Sequence, residues 1–170
     1  MTWGQQNNKK DAFEQMDYAI GKGVNFIDTA DVYADGKSEE ITGALISADR
    51  DDWVLATKVA GPKGSGPNQR GLSRKWLLQA CEASLRRLGT DYIDIYYLHK
   101  EDLNTPLVET LRALGDLVGE GKIRYYGLSN YRSWRVAEIC RICDDLGIDR
   151  PIVSQPYYNA MNRMPEVEHL

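Results

Sequence analysis

A repeated unit constrains this chain more than any other feature: a short apolar run ending in a polar side chain, then a loop, then an amphipathic helix. The runs fall at residues 24–28, 53–58, 92–98, 123–128 and 152–155. Phe13, Met16, Ala19 and Ile20 recur at helical spacing before the first run, with Gly21 and Gly23 as the stop. Ser38 is the expected N-cap of the next helix, Glu39 and Glu40 favour its dipole, and Ile41, Ala44, Leu45 and Ala48 form its stripe. Ser73 caps a third helix with the stripe Leu77, Cys81, Ser84, Leu85 and Leu88, ended by Gly89. Thr105 and Pro106 open a fourth, lined by Leu107, Leu111, Leu114 and Val118 and closed by Gly121. A fifth starts near Arg132, carries Val136, Ile139, Cys140, Cys143 and Leu146, and stops at Gly147. The stretch 61–71 is rich in turn formers and reads as a long loop. Strands separated by helices of this length pair in parallel, because a parallel neighbour needs a long crossover. The fold class is α/β.

Two α/β architectures satisfy the pattern, the closed eight-stranded barrel and the open doubly wound sheet. The open sheet's dinucleotide fingerprint needs G-x-G-x-x-G between a strand and the helix it feeds. Gly64, Gly66 and Gln69 miss that spacing and Pro67 interrupts it, which favours a partial TIM-type (β/α)8 barrel of about five β/α units. Strand C-termini converge on one face of a barrel, where sites of this fold lie. Here they deliver Asp28, Lys58, His99, the pair Ser129 and Asn130, and Gln155. Alternation puts Val54, Ala56 and Lys58 on one face, and likewise Ile95, Tyr97 and His99.

Those groups suit hydride transfer with proton delivery to a carbonyl. Tyr33 follows Asp28 in the loop DVYADG, and a tyrosine hydroxyl with a pKa of about 10 is a poor acid at neutrality. Lys58 at about 4 Å and an effective dielectric of about 20 favours the phenolate by roughly 4 kcal/mol, less the cost of desolvating both groups. Tyr33 is then the acid in reduction and the base in oxidation. Asp28 keeps Lys58 charged and oriented, and His99 holds the substrate oxygen or shares the proton. Each has a plainer role when taken singly: a turn cap for Asp28, packing for Tyr33, a core position for His99, a helix cap for Asn130, a backbone partner for Gln155. Their joint placement is what carries the catalytic reading.

The strings MTWGQQN, NFIDTADVY, ATK, DYIDIYYLH, GKIRYYGLSNY and SQPYYNAMNR together resemble the aldo-keto reductases, on the branch that includes potassium-channel β subunits and bacterial relatives. The resemblance implies an NADPH-dependent reductase of aldehydes and ketones, with a small carbonyl compound as substrate. It places a catalytic tetrad on Asp28, Tyr33, Lys58 and His99 and nicotinamide contacts on Ser129, Asn130 and Gln155, with Asp28 also beside the cofactor. Trp3, in the loop after the family's first strand, is expected with Tyr33 and His99 at the substrate mouth. The loop after His99 reads KEDLNTP, not the commoner tryptophan-proline form, so substrate contacts there do not carry over. A cofactor-binding regulatory subunit of the channel-β type is the second reading.

A complete barrel of this type runs to about 250 residues or more. The resemblance therefore implies a single incomplete domain over residues 1–170, matching strands two to six of eight, with Met1 internal to a longer chain. Unpaired edges are expected at 24–28 and 152–155, and the 170 residues alone are expected to be poorly stable and weakly active or inactive. Composition excludes other classes. The 21 basic and 25 acidic residues are scattered, giving a net charge of −4, and form no surface for nucleic acid or an anionic membrane. No apolar run approaches the roughly 18 residues of a membrane span, and the N-terminal residues lack a signal-like core, so a cytoplasmic location is expected. Cys81, Cys140 and Cys143 read as core packing, with no disulfide or metal site. Asp94, inside an apolar strand, has no partner that the sequence identifies.

Overall fold

The computed structural model describes residues 2–169, so the expectation for Met1 falls outside the described residues. Five strands, β1 (Phe26–Asp28), β2 (Val54–Val59), β3 (Ile93–Leu98), β4 (Ile123–Ser129) and β5 (Val153–Gln155), pair in parallel in the order β1-β2-β3-β4-β5. Each strand neighbours the next in sequence, and the sheet curls into a half-barrel. β1 and β5 form its two edges, as the chain pattern implies. Helices α1 (Lys9–Ile20), α2 (Lys37–Ile46), α3 (Arg74–Leu88), α4 (Leu107–Gly119) and α5 (Ser133–Leu146) accompany the strands, and a short α6 (Pro165–Glu168) follows β5.

Strand alternation sorts the side chains into two layers. Leu55, Val59, Tyr96, Leu98, Tyr126 and Leu128 face the helices and join the main core with Leu77, Leu111, Leu114 and Ile139. Ala56, Ile95 and Tyr97 form a small cluster on the concave side with Val54 and Val153. Only partial cover exists there, and Phe26 and Tyr125 remain 44% and 54% exposed. Across the concave layer Lys58 pairs with Tyr97, Tyr97 with Gly127, and Gly127 with Val153. A Cβ on Gly127 would lie 2.7 Å from Tyr97 Cε1 and 2.7 Å from Val153 Cγ1, so only glycine fits under that ring.

Helix boundaries correct several expectations. α1 begins earlier than its apolar spacing indicates, because Asn8 and Asp11 form a capping box of two reciprocal hydrogen bonds at 3.0 and 2.9 Å. α2 is capped by Gly36 in the left-handed conformation, not by Ser38, which is buried and shares a 2.9 Å hydrogen bond with Thr29 Oγ1. Its buried face holds Ser38, Glu39, Thr42, Gly43 and Ile46, while Ala44 and Ala48 are exposed. That face is polar because it meets polar partners on the sheet. It also approaches α3 closely, since a Cβ on Gly43 would sit 2.2 Å from the Leu88 carbonyl oxygen. Pro106 is the N-cap of α4, and Thr105 Oγ1 donates instead to Asp102 at 2.8 Å. Ser73 and Gly89 cap α3 as expected. Asp94 finds its partner in Arg50, which donates to it at 2.7 Å, and it also accepts the Leu55 N–H at 2.9 Å.

Candidate active site

The ends of β1, β2 and β3 and the turn after β1 bring Asp28, Lys58, Tyr33 and His99 together. Lys58 sits one residue before the end of β2 on the concave face and is 1% exposed. Its ammonium donates to Asp28 Oδ2 at 2.5 Å and to the Thr29 carbonyl at 2.9 Å, and it faces the Tyr33 hydroxyl at 3.5 Å. A lysine has three N–H donors, and three acceptors surround this one. Burial lowers the Lys58 pKa and Asp28 opposes that shift. Asp28 is partly exposed, with 32% of its side chain open to solvent. Tyr33 and His99 pack edge to face, with ring centroids 5.8 Å apart at 79°.

Electrostatics at Tyr33 run opposite to the expectation. Burial raises its pKa, and Asp28 raises it further. Burial is the larger cause; the carboxylate 2.5 Å from the ammonium adds to it by offsetting the positive charge that would otherwise favour a phenolate. His99 is shifted below the ordinary histidine value, first by burial and then by Lys58, with Lys100 adding to the shift and Asp28 opposing it. At neutral pH the site therefore presents a protonated phenol and a neutral imidazole.

Ser129, Asn130 and Gln155 also meet. Gln155 O accepts from Ser129 Oγ at 3.1 Å and from the Asn130 N–H at 3.1 Å. Asn130, with φ of 62°, is not the helix cap that its sequence position allows; its amide donates to the His99 carbonyl and to Ser129 Oγ, each at 2.9 Å. This ties the end of β4 to the residue that follows β3. Trp3 is partly buried against the main core, and its indole N–H donates to Gln15 of α1 at 2.8 Å. A cleft of about 660 Å³ opens between the loops after β2 and β3, lined by Ala60, Pro67, Arg70, Lys100, Asp102 and Leu103.

Sequence reasoning misses two acids behind this site. Glu39 is fully buried, accepting from Thr57 Oγ1 at 2.6 Å and from Arg87 Nε at 2.7 Å. Asp31 is 1% exposed and neither of its carboxyl oxygens has a hydrogen-bond partner. The available signal was a second acid in DTAD that lies past the strand end and is not needed there.

Curled parallel strands with polar groups gathered at their C-terminal ends define a β/α-barrel type of site. The aldo/keto reductase family model matches residues 1–170, and the chain belongs to that family. It is 40% identical over 166 residues to a probable voltage-gated potassium channel subunit beta of Arabidopsis thaliana, covering 96% of this chain and 50% of that protein. A putative subunit of the same kind from Schizosaccharomyces pombe is 36% identical, covering 83% of this chain and 42% of the relative. Protein tas of Escherichia coli is 34% identical, covering 98% and 57%. The chain thus spans about half the length of the curated relatives it matches.

Proposed function

We propose that this chain carries the catalytic face of an NADPH-dependent aldo/keto reductase that reduces a small aldehyde or ketone to the alcohol in the cytoplasm. One observation supports the reading above others: Asp28, Tyr33, Lys58 and His99, from four separate segments, meet in one connected set of contacts. Tyr33 keeps its proton at neutral pH and is the general acid, giving that proton to the carbonyl oxygen. Lys58, 3.5 Å from the hydroxyl, stabilises the phenolate as it forms, and Asp28 holds the ammonium in place. His99, neutral, orients the carbonyl oxygen by a hydrogen bond without competing as the acid.

Family members generally use a nicotinamide cofactor, and the residues here fit its carboxamide end. Among the described residues the Gln155 side-chain amide and Asn130 Oδ1 make no hydrogen bond, while Ser129 is fixed beside them. When bound, the nicotinamide supplies the hydride that reaches the carbonyl carbon. Nucleic acid and membrane have no place in this reading, and no helix of the described residues is long and apolar enough to cross a membrane.

A cofactor-binding regulatory subunit is the second reading, favoured by the 40% identity to a protein named as a channel subunit beta. Tyr33→Phe separates the two. A reductase loses about 10²- to 10⁴-fold in carbonyl reduction while NADPH binding, followed by fluorescence quenching, stays within a factor of two or so. An unchanged rate with an aldehyde substrate would overturn the assignment of Tyr33 as the acid.

A further inference from the structure

Asp31 is an anomaly that the proposed chemistry does not use. Its carboxyl is buried behind the turn that carries Tyr33, on the helix side of the sheet, and neither oxygen is paired. The groups facing it come from each element packed around it: Glu39 on α2, Arg87 on α3, Lys63 on the loop after β2, and Tyr96 on β3. Neither cation among them is free to serve it, and no group donates to either oxygen. Arg87 already donates to Glu39 and to Ser84 Oγ, Lys63 donates to Asp35 at 2.8 Å, and the buried Tyr96 hydroxyl makes no hydrogen bond. The Val32 N–H favours the charged form slightly but lies off hydrogen-bond geometry.

A carboxylate in such a place loses its hydration and gains a fully buried glutamate as neighbour, so the neutral acid is the form that the packing tolerates. Burial first, and Glu39 second, push the Asp31 pKa up to about 7. Asp31 N–H reaches the Lys58 carbonyl at 3.2 Å and Tyr33 N–H the Ala30 carbonyl at 3.1 Å. Immediately after Tyr33, Ala34, Asp35 and Gly36 take φ values of 49°, 54° and 93°. Two of these are not glycine, so the turn holds backbone strain.

We propose that Asp31 is a positioning residue: while it carries a proton it stays folded behind the Tyr33 turn, and on ionising it swings outward and draws Tyr33 away from Lys58 and His99. The movement of the turn stands on its own geometry; only its effect on catalysis rests on the reading of Tyr33 as the acid.

NMR on the full chain tests it. The chain has two histidines, and His169→Gln identifies the ring signals of His99, whose shift senses the Tyr33 ring packed against it. The Asp31 carboxyl carbon is expected to titrate near neutrality, and the His99 ring signals to show a second step at the same pH, above the imidazole's own. Asp31→Asn, isosteric and always neutral, is expected to fold, to abolish that upper step and to keep the lower one. Titration of Asp31 near pH 4 overturns the proposal. So does an upper His99 step that survives Asp31→Asn, or an Asp31 titration that the His99 signals do not follow. A chain that shows the coupled step but reduces no carbonyl compound refutes the reductase reading and leaves this one standing.

Discussion

Replacing Lys58 by methionine separates the stability of this site from its chemistry. The ammonium is 1% exposed and lies 2.5 Å from Asp28 Oδ2, an attraction of about 7 kcal/mol at an effective dielectric of about 20. Burial nonetheless outweighs both contributions of Asp28, because the Lys58 pKa is lowered. A depressed lysine pKa means that the fold disfavours the charged form, a cost present at neutrality and relieved only as pH rises past the folded value. Methionine keeps most of the volume and carries no charge. Asp28, with 32% of its side chain exposed, retains water as a partner, and the Thr29 carbonyl loses one donor. The expected stability of Lys58→Met therefore lies between unchanged and about 3 kcal/mol above the parent chain, while carbonyl reduction falls by at least about 10²-fold. Urea denaturation followed by tryptophan fluorescence reads the first, and NADPH oxidation with an aldehyde reads the second. Destabilisation by more than about 1 kcal/mol would refute the reasoning, since it would mean that Asp28 depends on the ammonium and not on solvent.

Three further outcomes follow from buried contacts. Arg87→Met strands the fully buried Glu39 carboxylate and is expected to cost about 3–5 kcal/mol in urea denaturation, with Glu39→Gln in the same chain recovering much of the loss. Gly43→Ala places a methyl 2.2 Å from the Leu88 carbonyl oxygen, and forcing α2 away from α3 is expected to lower stability by about 2 kcal/mol or more in the same assay. Asp31, raised from 3.8 to about 7, contributes stability that is complete below about pH 4 and lost as pH rises to about 7, a decline of about 4 kcal/mol. Denaturation midpoints across that range are expected to show the decline in the parent chain and its absence in Asp31→Asn.

Much of the architecture was legible because hydrophobic periodicity and glycine stops report local geometry directly. The five runs became the five strands, and Lys58 and Tyr97 fall on one face as alternation requires. What the sequence hid depended on partners far along the chain. The apolar stripe expected of α2 gives way to a buried face that includes Ser38, Glu39 and Thr42; Ser38 meets Thr29 after β1, and Glu39 meets Thr57 on β2 and Arg87 on α3, partners that no local pattern announces. Asp94 needed Arg50, 44 residues away. The Tyr33 hydroxyl shifts upward and not downward because a sequence shows which charges lie near it but not how deeply it is buried, and burial is the larger cause, with Asp28 second.

Gly127 gives this half-barrel an unexpected point of leverage. A bare α-carbon in β4 is what lets the Tyr97 ring lie where it does, with its centroid 5.8 Å from the Lys58 ammonium. A single added methyl would act as a wedge against that aromatic plate, one strand away from the cation. The surroundings of a lysine on β2 thus depend on β4, through a position that has no side chain.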